Sequence, residues 1–319
     1  DGRGIVETAA GDLKPGDALV VPRNLPLPSR KVSLRLPPKA RVADPRARAE
    51  IAAKIREESR IRGVGPTAKR LGLTKDTYWS YRLQRTAPTV EFARKLGVEV
   101  RTIRSERSGR AIRVPKEMTP DLGEFLGLQL SEGTIKARQV VEFYNNDADL
   151  RMRYRELLKT LFGLDGKERH DPTVSTITVS SRALAHLLET WGVPTKAKSR
   201  NLRLLDALAV ATEEVVSSFL RAYAEGDGHF ADEGLEIATA SEAMAGGLGY
   251  LFARLGIFAR VSSKIIGNRS YFRVWVSPKE ATRLFPTYHR ETYYDSYDVV
   301  PFPKEQVAEI REALGGNAS

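Results

Sequence analysis

Apolar and polar positions along this chain change period several times, and each change marks an element. Over residues 1–28, Gly11-Asp12 and Pro15-Gly16-Asp17 punctuate the apolar runs of IVETAAGDLKPGDALVVPR, a pattern of short strands and turns. Residues 29–45 are rich in proline and basic residues and read as an extended linker. Residues 46–106 take a helical period. Residues 107–120, with Pro115 and Pro120, read as a second connector. Beyond them helical and strand periods alternate. KARQVVEFYN and STITVSS alternate as strands, while DADLRMRYRELLKTLFG puts Leu150, Tyr154, Leu157, Leu158 and Leu161 on one helical face. SRALAHLLETWG is again helical, and KEQVAEIREALGG, within residues 304–319, reads as a terminal helix with a glycine stop.

The region from residue 121 to 303 is internally duplicated. FLGLQLSEG (Phe125 to Gly133) and LRAYAEGDG (Leu220 to Gly228) are apolar, small-residue helical runs that end in an acidic residue followed by glycine. Val141–Leu164 then aligns without a gap on Leu235–Phe258, and Ser175–Glu189 pairs loosely with Tyr271–Phe285. Such a repeat predicts two related halves, residues 121–212 and 213–303, each of mixed α/β (α+β) order with antiparallel pairing.

Composition narrows the class. A hydrophobic fraction of 41% over 319 residues allows two or three domains with cores of their own. No cysteine is present, which excludes disulfides, thiolate zinc sites and a cysteine nucleophile. No run approaches a membrane span and the first residues lack a signal peptide's apolar core, so an intracellular protein (cytoplasm or nucleoid) without a membrane partner is expected. The net charge is +11, and residues 46–106 carry 15 Lys+Arg against 7 Asp+Glu. A basic excess concentrated in this way favours a polyanionic partner, most often nucleic acid.

The duplicated motif carries the chemistry. Gly127, Ser131, Ala222 and Gly226 give each motif helix a smooth stripe, so the two helices can cross backbone against backbone. Their ends then bring Glu132 and Asp227 together. Adjacent carboxylates repel unless a cation or a shared proton relieves them, and oxygen-only ligation favours Mg²⁺ over zinc. Divalent metal beside a basic surface suits in-line attack of water on a phosphodiester.

These two motifs, their spacing and the downstream LLKTLFG and LFARLGIF resemble those of LAGLIDADG homing endonucleases of the single-chain, two-repeat type. The resemblance implies αββαββα repeats with saddle-shaped antiparallel sheets, and a monomer that binds double-stranded DNA in its major groove, with no protein partner implied. Mg²⁺, with Mn²⁺ substituting, would sit at Glu132 and Asp227 beside Gly133 and Gly228. Lys198 would assist catalysis, with Lys196 as runner-up. The second half offers His289 or Arg290 and no lysine there. Lys136, Arg138, Lys196, Arg200, Lys264, Arg269 and Arg273 would contact DNA. Two positions depart from the family: Glu132 stands where aspartate is usual, and polar Gln129 sits inside the first motif.

Two further segments carry resemblances. GDLKPGDALVVPR (Gly11 to Arg23) is similar to the block that precedes the endonuclease in intein splicing domains, with DSYDVVP near the return. The chain starts DGRG and ends GGNAS, without the terminal nucleophile and His-Asn pair, so it is expected not to splice. GPTAKRLGLTKDTYWSYRLQRTAPTVEFARKLGVEV resembles a phage-repressor helix-turn-helix capped at Thr74. Lys75, Thr77, Tyr78, Tyr81 and Arg82 would face DNA, with Arg85 on phosphate. The expected activity is therefore Mg²⁺-dependent, site-specific double-strand DNA cleavage by an intein-encoded enzyme. The alternatives are a catalytically inactive DNA-binding regulator on the same fold, or an RNA maturase.

Overall fold

Residues 9–12, 18–20, 28–106, 109–286 and 299–301 are described by a computed structural model. The terminal helix expected over 304–319, and His289 and Arg290, lie outside the described residues. After a short strand β1 (Ala18–Val20), the first folded unit comprises β2 (Arg41–Val42), α1 (Pro45–Arg62), α2 (Val64–Leu71), α3 (Lys75–Arg82), α4 (Val90–Lys95), β3 (Thr102–Arg104) and β4 (Ile112–Arg113). Its helix starts follow local chemistry. Asp44 accepts from the amides of Arg46 and Ala47 ahead of Pro45, Thr74 caps α3 through Thr77 N, and Thr89 caps α4 through Phe92 N.

Ile51 and Ile55 of α1 belong to one buried cluster with Tyr78, Tyr81, Phe92, Val42, Ile103 and Ile112. The strands pair antiparallel in the order β2-β3-β4. Parts of both expected connectors are thus structural. Arg41 and Val42 pair with β3, Ser33 bridges Glu117, and Leu34 N donates to Lys116 O at 3.1 Å.

The two halves that follow share one topology. The first runs α5 (Pro120–Glu132), β5 (Gly133–Lys136), β6 (Val140–Tyr144), α6 (Ala148–Leu157), β7 (Lys167–His170), β8 (Ser175–Ser180) and α7 (Arg182–Thr190). Two short turns of helix, α8 (Lys198–Asn201) and α9 (Asp206–Ala209), lead across. The second runs α10 (Glu213–Asp227), β9 (Gly228–Ala231), β10 (Gly234–Thr239), α11 (Glu242–Arg254), β11 (Ala259–Ile266), β12 (Arg269–Val276) and α12 (Pro278–Ala281). Sheet orders β5-β6-β8-β7 and β9-β10-β12-β11 are equivalent and antiparallel throughout. The caps repeat as well: Asp147 and Ser241 start α6 and α11, and Ser181 and Ser277 start α7 and α12. A last strand, β13 (Val299–Pro301), pairs antiparallel with β1.

Helices α5 and α10 hold the halves together. A methyl at Gly127 would lie 2.5 Å from Phe219 O and 2.8 Å from Ala222 Cβ, and one at Gly123 would lie 2.6 Å from Val215 O. The glycines are therefore required by close approach, because only a residue without Cβ fits against the facing backbone. Gly246 of α11 is the converse case, with nothing within 4 Å of its added Cβ. Gly127→Ala should therefore destabilise by about 1–3 kcal/mol through overpacking. Gly246→Ala should stabilise by about 0.5–1 kcal/mol by restricting the unfolded chain. Denaturant unfolding of the two variants checks both signs, and equal shifts would refute the close-contact account.

Candidate active site

The motif helices end side by side. The amide of Gly133 closes α5 on Gln129 O, and that of Gly228 closes α10 on Ala224 O. Both glycines are extended (φ −96° and −88°), so left-handed geometry does not explain them. Their added Cβ atoms would instead strike those same carbonyl oxygens. Each helix thus turns directly into a strand of its sheet, leaving its acidic residue at the junction. A methyl at Gly226 would lie 3.1 Å from Glu132 Cγ and strike the Ser131 hydroxyl, so the Glu132 side chain packs on the last turn of α10.

Three charged groups share this place. Glu132 is half-buried, and its carboxyl is raised by desolvation and by the Asp227 carboxylate, against the lowering effect of Lys198. Asp227 keeps an exposed side chain yet is crowded enough that desolvation raises its carboxyl, opposed by Lys198 and the Tyr223 hydroxyl. Lys198 donates from Nζ to Ser131 O at 2.7 Å, and burial pushes it down to about 8 despite both carboxylates. It is aimed inward by Ala197, whose φ of 45° is left-handed and unusual for a side-chain-bearing residue. Lys196 and Arg200 remain exposed on the outside of this turn.

Two buried polar groups stand behind the motif. The Tyr223 hydroxyl couples to Asp227 electrostatically and has no partner of normal hydrogen-bond geometry. Gln129 accepts the Tyr154 hydroxyl through Oε1, while its Nε2 is unsatisfied. This pairing accounts for a polar residue inside the first motif. Among the described residues no group of three or more His, Cys, Asp or Glu could hold a metal ion. The available donors are the two carboxylates and nearby backbone oxygens.

The second half has a recognisable likeness. Residues 214–290 match the profile of the LAGLIDADG-like domain. An A-type ATP synthase subunit of Pyrococcus abyssi is 38% identical over 224 residues, covering 69% of this chain and 21% of that protein. The replication factor C small subunit of Methanocaldococcus jannaschii is 30% identical over 170 residues, covering 52% of this chain and 9% of that protein. The chain therefore spans about a fifth or less of the curated relatives it matches. A solved structure of I-DmoI with DNA and Mn aligns at TM-score 0.39 and 13% identity, over 54% of this chain and 98% of its own.

The sheet faces turned away from the helices carry cations from both halves. Lys136 pairs with Glu142 at 2.7 Å on the first sheet and Arg273 with Glu236 at 3.2 Å on the second, whereas Arg138, in the β5–β6 turn, pairs with Glu189 of α7 at 2.9 Å. Lys264 and Arg269 are exposed on the β11–β12 hairpin. Register adds three cations that the sequence reading missed. Lys167 and Arg169 stand opposite Thr178 and Thr176, and Arg260 stands opposite Trp275. No strand alternation marked KERH, because β7 is exposed along its whole length.

In the helical unit two expectations are corrected. Tyr78 is fully buried and Tyr81 keeps only a small edge at the surface, so neither ring is presented to a partner from an exposed face. They lie three residues apart on the inner face of α3, where Tyr81 packs on Phe92 at 5.2 Å between ring centroids and Tyr78 Oη bonds the Ser59 hydroxyl. Lys75 and Arg85 are exposed, and Thr77 and Arg82 half-buried. Arg82 lies over the Trp79 ring at 4.9 Å. Because Lys198 lowers both carboxyls, Lys198→Met should raise the titration midpoints of Glu132 and Asp227, read by carbon NMR of labelled carboxyls. Unchanged midpoints would remove Lys198 from the cluster.

Proposed function

We propose that this chain is a metal-dependent, site-specific double-strand DNA endonuclease carried as an insert within a host protein. The observation that carries the reading is the juxtaposition of Glu132, Asp227 and Lys198 where two interlocked helices end. Two desolvated carboxylates raised above their ordinary range form a place short of positive charge, and hard oxygen donors without His or Cys suit Mg²⁺ or Mn²⁺. Glu132 and Asp227 would hold the ion, with Gly133 and Gly228 following them in the chain as the further donors the resemblance implies. A bound divalent ion would supply Lewis-acid stabilisation to the oxygens of in-line phosphodiester displacement.

The residues have separable tasks. Glu132 and Asp227 ionise and bind. Lys198, near 8, holds a proton at Nζ at neutral pH and can release it under mildly alkaline conditions. Its bond to Ser131 O fixes that proton beside Glu132. The cationic sheet faces would bind the two halves of a duplex, and the basic helical unit would add contacts in the manner of a helix-turn-helix. A monomer suffices, since each half supplies one carboxylate.

The insert reading rests on different support. One segment is shared by a component of an ATP synthase and one of a replication factor, as a minor part of each. A mobile insert produces that distribution. The β1–β13 pairing brings residues 18–20 and 299–301 side by side, an arrangement compatible with insertion into a host fold.

Incubation with DNA carrying the uninterrupted host-gene junction, with Mg²⁺ or with EDTA, tests the activity. Metal-dependent breaks at one site are expected. Glu132→Gln or Asp227→Asn should drop cleavage below detection while leaving DNA affinity within a few-fold. Tight binding without cutting in any divalent metal would leave a DNA-binding regulator on the same fold.

A further inference from the structure

Burial of Tyr78 and Tyr81 removes two of the contacts expected from α3, yet the helical unit keeps most of the net positive charge. A groove of about 530 Å³ lies beside α3, against the small sheet, and Arg41, Asp76, Thr77, Ser80, Arg104 and Glu106 are among its lining residues. Arg41 and Arg104 stand directly opposite one another across the β2–β3 ladder. Like charges in that register destabilise a sheet unless an anion relieves them. Among the described residues no carboxylate lies within ion-pair distance of either guanidinium, although Asp76 and Glu106 line the same groove. Arg41 is held in position, with Nη1 donating to Tyr81 Oη at 3.4 Å and to Ala87 O at 3.3 Å. The buried Tyr81 therefore acts as a support for a cation.

We propose that this groove seats the phosphate backbone of duplex DNA, with Arg41 and Arg104 as its paired cations and the Thr77 and Ser80 hydroxyls as further donors. The proposal rests on the DNA-binding reading above and adds where the helical unit makes its contact. A guanidinium pair on one ladder suits phosphate groups, since Arg engages phosphate oxygens through its planar fork.

The test is fluorescence anisotropy of a labelled random-sequence duplex, titrated with full-length protein across a salt series. Arg41→Gln/Arg104→Gln should weaken binding and reduce the slope of log K against log salt by roughly 2, about 0.9 per phosphate contact. Its hydroxyl-radical footprint should lose protection on one flank only. Should the Arg41 change unfold the unit, Arg104→Gln alone, at an exposed side chain, should reduce the slope by about 0.9. A slope and footprint equal to those of the wild type would overturn the proposal while leaving the DNA reading intact. Lys264→Gln/Arg269→Gln, on the other half, provides the comparison. If the wild type shows no salt-dependent duplex binding, both readings fall together.

Discussion

Everything at the centre of this molecule follows from the contact between two helix backbones. With no side chain at Gly123, Gly127 or Gly226, α5 and α10 approach until main-chain atoms of one meet those of the other. Dispersion between closely matched surfaces is large in sum, and a gap of about 0.5–1 Å already forfeits roughly a quarter to a half of it. The same contact fixes where both helices stop, because each ends at a glycine that turns straight into a sheet. Carboxylate separation and sheet placement are consequently set by one interface. A protein that met its partner helix through leucines would hold its acidic residues farther apart.

The halves match in topology and differ in chemistry. Glu132 has one more methylene than Asp227. Leu128 stands where the other motif has Tyr223, and Gln129 where it has Ala224. The lysine of the cluster comes from the first half's turn. The charge balance of the three groups is therefore negative when all are ionised, and desolvation raises that cost. Raised carboxyls and a lowered lysine are the protein's own partial relief, each group moving toward its neutral form.

What could be read from the sequence divides along physical lines. The motif helices and their acidic ends were legible because acid-glycine pairs after small-residue runs are local signals, repeated at a fixed offset. The duplicated caps at Asp147 and Ser241 lie in the same aligned stretch. Tyr78 and Tyr81 were misassigned because an aromatic pair three residues apart on a basic helix marks one face without saying which way it turns. The connectors hid β2 and β4, since strands of two residues have no period to detect. Polar β7 was hidden likewise. Arg41 and Arg104 are paired only by a long-range ladder, and Lys198 differs from Lys196 only through the left-handed turn at Ala197.

One junction sets a property of the whole chain. The Arg113 guanidinium donates to Lys159 O and packs over Gly163, Trp191 Nε1 reaches Arg35 O at 2.9 Å, and Arg30 N donates to Val210 O at 3.0 Å. The segment before the helical unit is thereby clasped to the first half and to the crossing toward the second. A flexible tether would make two binding surfaces search for each other at an effective concentration set by its length. Here packed contacts, main-chain and side-chain alike, set the offset between the groove beside α3 and the carboxylate pair, so the two cannot drift apart as tethered domains would.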